Sequence, residues 1–106
     1  MSGDASNPLH EGELQEKTQE KVKEPDMYRC VLHNDHYTTM EFVVEVIMKV
    51  FRKPVAEATQ IMLRVHRRGS GTAGVYTYDI AKTKANQVRK LAREREYPLK
   101  CTVEKA

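Results

Sequence analysis

The chain has 106 residues, of which 40% are hydrophobic and 31% charged, enough for one domain with a modest core. No run approaches the roughly 18 consecutive apolar residues of a membrane-spanning helix, and MSGDASNPLHEGELQEK lacks the basic start and apolar stretch of a secretory signal. Residues 1–26 carry seven acids against three bases, and residues 27–106 eight acids against fifteen bases, so an acidic extension joins a basic body.

Residues 1–26 make the first unit. Apolar positions are few and without period, and Pro8 and Pro25 bracket a string of Glu, Gln and Lys. Such a segment buries too little surface to offset its ordering entropy. A flexible extension is expected, with at most a transient helix over 11–23.

The body follows at residue 27. MYRCVLH, residues 27–33, is rich in β-formers and predicts a strand. The polar run HNDHYTT leads to a helix start, where Thr38 and Glu41 have the spacing of a capping box. Met40, Val43, Val44, Ile47, Val50 and Phe51 then recur at helical spacing. Pro54 suits the first position of a second helix, with Val55, Ala58, Ile61, Met62 and Val65 as its stripe and Gly69 as its stop.

GSGTAGVYTY predicts a glycine-rich turn running into a strand. No GK[ST] follows and the next segment reads as a strand, so no P-loop is expected. A hairpin-like bend is expected, the alternative being that the glycines let another backbone approach. A third helix covers about 78–95, with Ile80, Ala81, Val88, Leu91 and Ala92 inward and Pro98 as its stop; LKCTVEK predicts the last strand. The order β-α-α-β-α-β implies an α+β domain of two layers, a three-stranded antiparallel sheet with three helices.

The sequence holds no G-x-S-x-G and no HExxH. Cys30 and Cys101 lie mid-strand among apolar neighbours and predict inert core thiols in a reducing cytoplasm. His33, Asp35 and His36 straddle a turn, where their spacing fixes no common direction for a metal. A binding module fits better than an enzyme. If the first two helices pack together, Met40, Val43, Met62 and Val65 line an apolar recess whose mouth carries Asn34, Asp35 and His66. Core packing alone explains the same spacing. The basic body leaves a nucleic-acid- or ribosome-associated module as the rival, and a metal-dependent enzyme at the histidines as a third reading.

LHNDHYTTMEFV, ATQIMLRVHRRG, GVYTYDIAKTK and YPLKCTVEKA together resemble the ClpS family, the bacterial adaptors that bring N-degron substrates to the ClpA–ClpP protease. The resemblance spans residues 27–106. It implies an adaptor without cofactor, metal or catalytic residues, monomeric and cytoplasmic, with no nucleic acid or membrane as partner. Its ligand is the free N-terminal residue of a substrate, Leu, Phe, Tyr or Trp. By position, Asn34, Asp35 and His66, with His36 beside them, surround the substrate α-amino group. Leu32, Thr38, Met40, Val43, Met62, Val65 and Leu99 match the side-chain pocket, Met40 being the gatekeeper against β-branched residues. Asp79 and Lys84 match the face that meets the unfoldase's N-terminal domain, and residues 1–26 the segment that engages its pore.

Four positions depart from the family pattern. His36 stands where a second acid is usual, Thr39 where Pro often precedes Met40, His33 where an apolar residue is found, and Lys82 where an acid is common.

Overall fold

The computed structural model describes residues 24–106, so the transient helix expected over 11–23 lies outside the described residues. The elements run β1 (Met27–His33), α1 (Met40–Phe51), α2 (Val55–Arg68), β2 (Ser70–Thr77), α3 (Tyr78–Glu94) and β3 (Lys100–Lys105). The β-formers of β1 place it at the centre of a three-stranded sheet of order β2-β1-β3, antiparallel on both sides. This is the α+β order expected from the sequence.

Period-2 alternation sorts β1 into two faces. Cys30 and Leu32 lie in the helix-covered core with Val46, Ile47, Val65 and Val88. On the other face, Arg29 bonds Thr72 and Glu104, and His33 Nε2 lies 2.8 Å from Thr102 Oγ1. The Thr102 hydroxyl donates to Glu104 at 2.9 Å, so His33 is the donor in its own contact. That bond accounts for a polar residue at position 33. Cys30 donates its thiol to the Ala81 carbonyl, and the Cys30 contact and burial together push the Cys101 thiol up. Both cysteines are free and buried, as inert core thiols should be.

Three expectations are corrected. The N-cap of α1 is Thr39, not Thr38: Thr39 Oγ1 accepts from the Phe42 amide at 3.1 Å. Two adjacent threonines offered two registers, and Thr38 spends its hydroxyl on Asp35 instead. Ile80, predicted inward, is 50% exposed, and Val55, also predicted inward, is 57% exposed; Ala81 is the residue that the first turn of α3 buries, and Phe42, Val46 and Ala85 take core positions as well.

The third correction concerns GSGTAGVYTY, whose turn is confined to its first residue. Gly69 alone turns the chain, closing α2 at φ 90, and β2 begins directly after it. A Cβ at Gly71 would stand 3.0 Å from Val65 Cγ2, and one at Gly74 would meet the Tyr76 ring. These two glycines thus admit the Val65 and Tyr76 side chains, where the alternative raised above expected another backbone. Where β1 passes from Cys30 to Val31, β2 passes from Gly74 to Thr72, so Ala73 is the bulged residue and is buried.

Candidate functional site

A recess of about 450 Å³ opens between the start of α1 and the end of α2. Two local signals build it. Gly69 stops α2 one residue before β2, and the Asn34 amide donates to the Gly69 carbonyl at 2.9 Å. That bond clamps the loop after β1 onto the C-terminus of α2 and brings Asn34 and His66 to one mouth. Val43, Met62 and Val65 line it from below, and Met40, 46% exposed, stands at its rim. Met62 and His66 are four apart and share a helix face.

Asp35 organises the loop. Its Oδ1 accepts from the Tyr37 amide at 2.8 Å and the Thr38 amide at 2.7 Å, and its Oδ2 from the Thr38 hydroxyl at 2.7 Å. Burial alone would push the carboxyl up. The Thr38 amide and hydroxyl, the Tyr37 amide and the nearby His36 outweigh it and hold Asp35 below the ordinary carboxylate range. A carboxylate has about four acceptor positions. Three are committed to the loop, which leaves Oδ2 room for one further donor.

The recess therefore brings together Asn34, Asp35, His36, Thr38, Met40, Val43, Met62, Val65 and His66. It does not include Leu32 or Leu99 among its walls. Leu32 is fully buried in the core that also contains Val43, Met62 and Val65, and Leu99 lines a separate groove between α3 and β3. Tyr37, Thr39 and Glu41 complete the rim and were missed by sequence reasoning. Tyr37 is 77% exposed, so no burial pattern could have marked it.

His33 points to Thr102 rather than towards His36, and among the described residues no three His, Cys, Asp or Glu side chains gather as metal ligands. Asp79 and Lys84 lie on α3, whose start adjoins the Thr77 end of the sheet, whereas the recess adjoins the opposite, Ser70 end. Lys84 donates to the Val50 carbonyl at 2.8 Å, closing the end of α1, and stands over the Tyr76 ring; Asp79 is exposed in the first turn of α3. Among the described residues no helix is long and apolar enough to cross a membrane.

The family model for "ATP-dependent Clp protease adaptor protein ClpS" matches residues 23–102. An adapter protein ClpS of Syntrophus aciditrophicus is 60% identical over 92 residues, 87% of this chain and 86% of that one. Its counterpart in Lawsonia intracellularis is 52% identical over 105 residues, 98% of this chain and 96% of that one. Agrobacterium tumefaciens ClpS2, solved bound to L-phenylalaninamide, superposes with a TM-score of 0.76 at 38% identity and covers 78% of this chain and 100% of its own. With a family match over residues 23–102 and relatives this similar over most of their length, the chain belongs to the ClpS family of Clp protease adaptors, which are not enzymes.

Proposed function

We propose that this adaptor binds the free N-terminal residue of a substrate protein in the recess and delivers the substrate to a ClpA-type AAA+ unfoldase in the cytoplasm, acting as a monomer. The observation that carries the reading is an apolar floor of Val43, Met62 and Val65 beneath a mouth of hydrogen-bond acceptors. L-Phenylalaninamide, the ligand of the Agrobacterium relative, has the chemistry of an N-terminal Phe: a free α-amine, a benzyl side chain and an amide in place of the next peptide bond.

An N-terminal ammonium has three donors and loses water on docking, so it needs acceptors. The Asn34 side-chain carbonyl, the remaining position on Asp35 Oδ2 and the unprotonated nitrogen of His66 supply them, with His36 beside them. Burying a Leu or Phe side chain among Thr38, Met40, Val43, Met62 and Val65 contributes roughly 1.5–3 kcal/mol. Leu32 and Leu99 support that pocket from the core. Methionine thioethers adapt to aliphatic and aromatic shapes alike. Asp79 and Lys84 form the unfoldase face, at the far end of the sheet from the recess.

The test is a titration with a Leu-terminal peptide, free and N-acetylated. Tight binding of the free peptide and a large loss on acetylation are expected, because acetylation leaves one neutral donor where three charged ones stood. Equal binding of the two would refute the pocket assignment.

A further inference from the structure

The last two turns of α2 carry more than the recess wall. Arg64, Arg67 and Arg68 stand at i, i+3 and i+4, so they share one exposed face of the helix. With Gln60 and Leu63 they line a hollow of about 240 Å³ that has no carboxylate in its walls. Glu57, the one acid of α2, lies about two turns earlier and pairs with Lys53 at 3.6 Å. Among the described residues none of the three arginines takes part in an ion pair or a side-chain hydrogen bond.

A helix C-terminus attracts cations, which accounts for Arg67 and Arg68 in the last turn. It does not account for Arg64, a turn earlier, where the pull of the helix end has faded and the like charges at 67 and 68 repel it. Three guanidiniums around a hollow, with a partly buried leucine among them, suit an acidic peptide segment, because arginine holds a carboxylate through two parallel hydrogen bonds.

Position decides which peptide. Met62, Val65 and His66, on the same two turns, line the recess. Going round the helix from His66, Leu63 follows at about 60° and Arg67 about 40° beyond it, with Arg64 and Arg68 further on. At the outer radius of a helix, about 5–6 Å, the path from His66 to Arg67 is about 10 Å, a span that three extended residues cover. The rest of the rim carries Asp35 and Glu41, which repel carboxylates and turn an acidic chain towards α2. We propose that the Arg64–Arg67–Arg68 face extends the recess: it takes acidic residues of the substrate, about three to seven positions beyond the bound N-terminal residue, and so favours N-termini followed by an acidic stretch. This inference rests on the terminus-binding reading above and adds a selection by charge to it.

The experiment is a calorimetric titration of the full chain with three Leu-terminal peptides that differ only at positions 4–8, occupied by Glu, Gln or Lys. At about 50 mM salt the Glu peptide should bind about three- to tenfold more tightly than the Gln peptide, and the Lys peptide more weakly than either. Near 500 mM, where exposed charges are screened within a few ångströms, the three should converge. Arg64→Gln with Arg67→Gln and Arg68→Gln should bring the ratio of Glu to Gln peptide affinity to about one at low salt. The ratio is the readout, because losing three cations near the recess raises the affinity of every ammonium ligand. If the triple variant fails to fold, Arg64→Gln alone should lower the ratio about twofold. An acidic advantage that persists in the triple variant would place the contact elsewhere and overturn the proposal. N-acetylated copies separate the two claims: equal affinities of the three free peptides, each lost on acetylation, would overturn this inference and leave the recess reading standing, whereas binding that acetylation leaves untouched would overturn both. Single-stranded RNA that binds the parent more tightly than the Glu peptide does, and loses that affinity in the triple variant, would assign the face to nucleic acid and overturn the proposal.

Discussion

Replacing Asp35 separates scaffolding from charge at the recess. Asp35→Ala removes an acceptor that holds two backbone amides and one hydroxyl. A bond of this kind contributes about 0.5–1.5 kcal/mol net, and more when the acceptor is charged. The loop is only partly buried, so water replaces some of the loss and a cost of about 1.5–3 kcal/mol is expected, felt mostly as disorder of residues 34–38. A loop that must be ordered on binding carries that cost into affinity, a fall of about 10- to 100-fold. Asp35→Asn keeps an oxygen for the two amides and presents an amide donor to the Thr38 hydroxyl, which can reverse its own bond. It should stay within about 1 kcal/mol of the parent stability and lose only its attraction for the ammonium. For a partly hydrated pair that amounts to roughly 1 kcal/mol, or about fivefold in affinity. Fluorescence anisotropy with a labelled Leu-terminal peptide, beside urea unfolding of each variant, reads both quantities. Alanine and asparagine variants that are folded and bind equally would show that the loop bonds do not shape the recess.

Two more outcomes follow from the same geometry. Met40 stands at the rim with half its surface exposed, so Met40→Ala should admit peptides starting with Ile or Val while costing under about 1 kcal/mol in stability; unchanged terminal selectivity would make Met40 a bystander. Because the folded state holds the Asp35 carboxyl below its unfolded value of about 3.9, its contribution to stability is complete above that pH and is lost as the pH falls through the folded value. Urea midpoints between about pH 5 and pH 2.5 should therefore fall further in the parent than in Asp35→Asn, and parallel declines would show that the Asp35 bonds contribute nothing to folding.

The fold was legible because each element carried its own period and its own stop: Gly69 for α2, and β-formers ending at a polar run for β1. What escaped the sequence were choices between neighbours. Thr38 and Thr39 are chemically equal candidates for a cap, and only the position of the Asp35 carboxylate decides between them. Ile80 fits a helical stripe, but so does its neighbour Ala81, and only the rotation of α3 on the sheet decides that Ala81 is buried and Ile80 half exposed. The recess was partly legible, since Met62, Val65 and His66 sit on one turn and Asn34, Asp35 and Met40 within seven residues. Its closure was not, because the bond from Asn34 to Gly69 joins residues 35 apart through two backbone groups that have no sequence signature.

A cation at this recess has to contend with the start of α1, the positive end of a helix dipole, which by itself favours anions. The fold answers with a second helix end. α2 terminates at the same mouth, with His66 in its last turn and Gly69 as its cap, and a helix C-terminus carries a partial negative charge of the same size as the positive one it faces. The two ends cancel to first order, so the sign of the local field is set by side chains, and Asp35 and Glu41 are the carboxylates on the walls. In this chain His36 holds a wall position beside them. A recess with so small a net field should therefore respond strongly to a single wall charge: His36→Asp, which places a fixed negative charge beside Asp35 and Glu41, should bind a Leu-terminal peptide several-fold more tightly than the parent in the same anisotropy titration, and an unchanged affinity would show that side-chain charge at position 36 does not set the field of the recess.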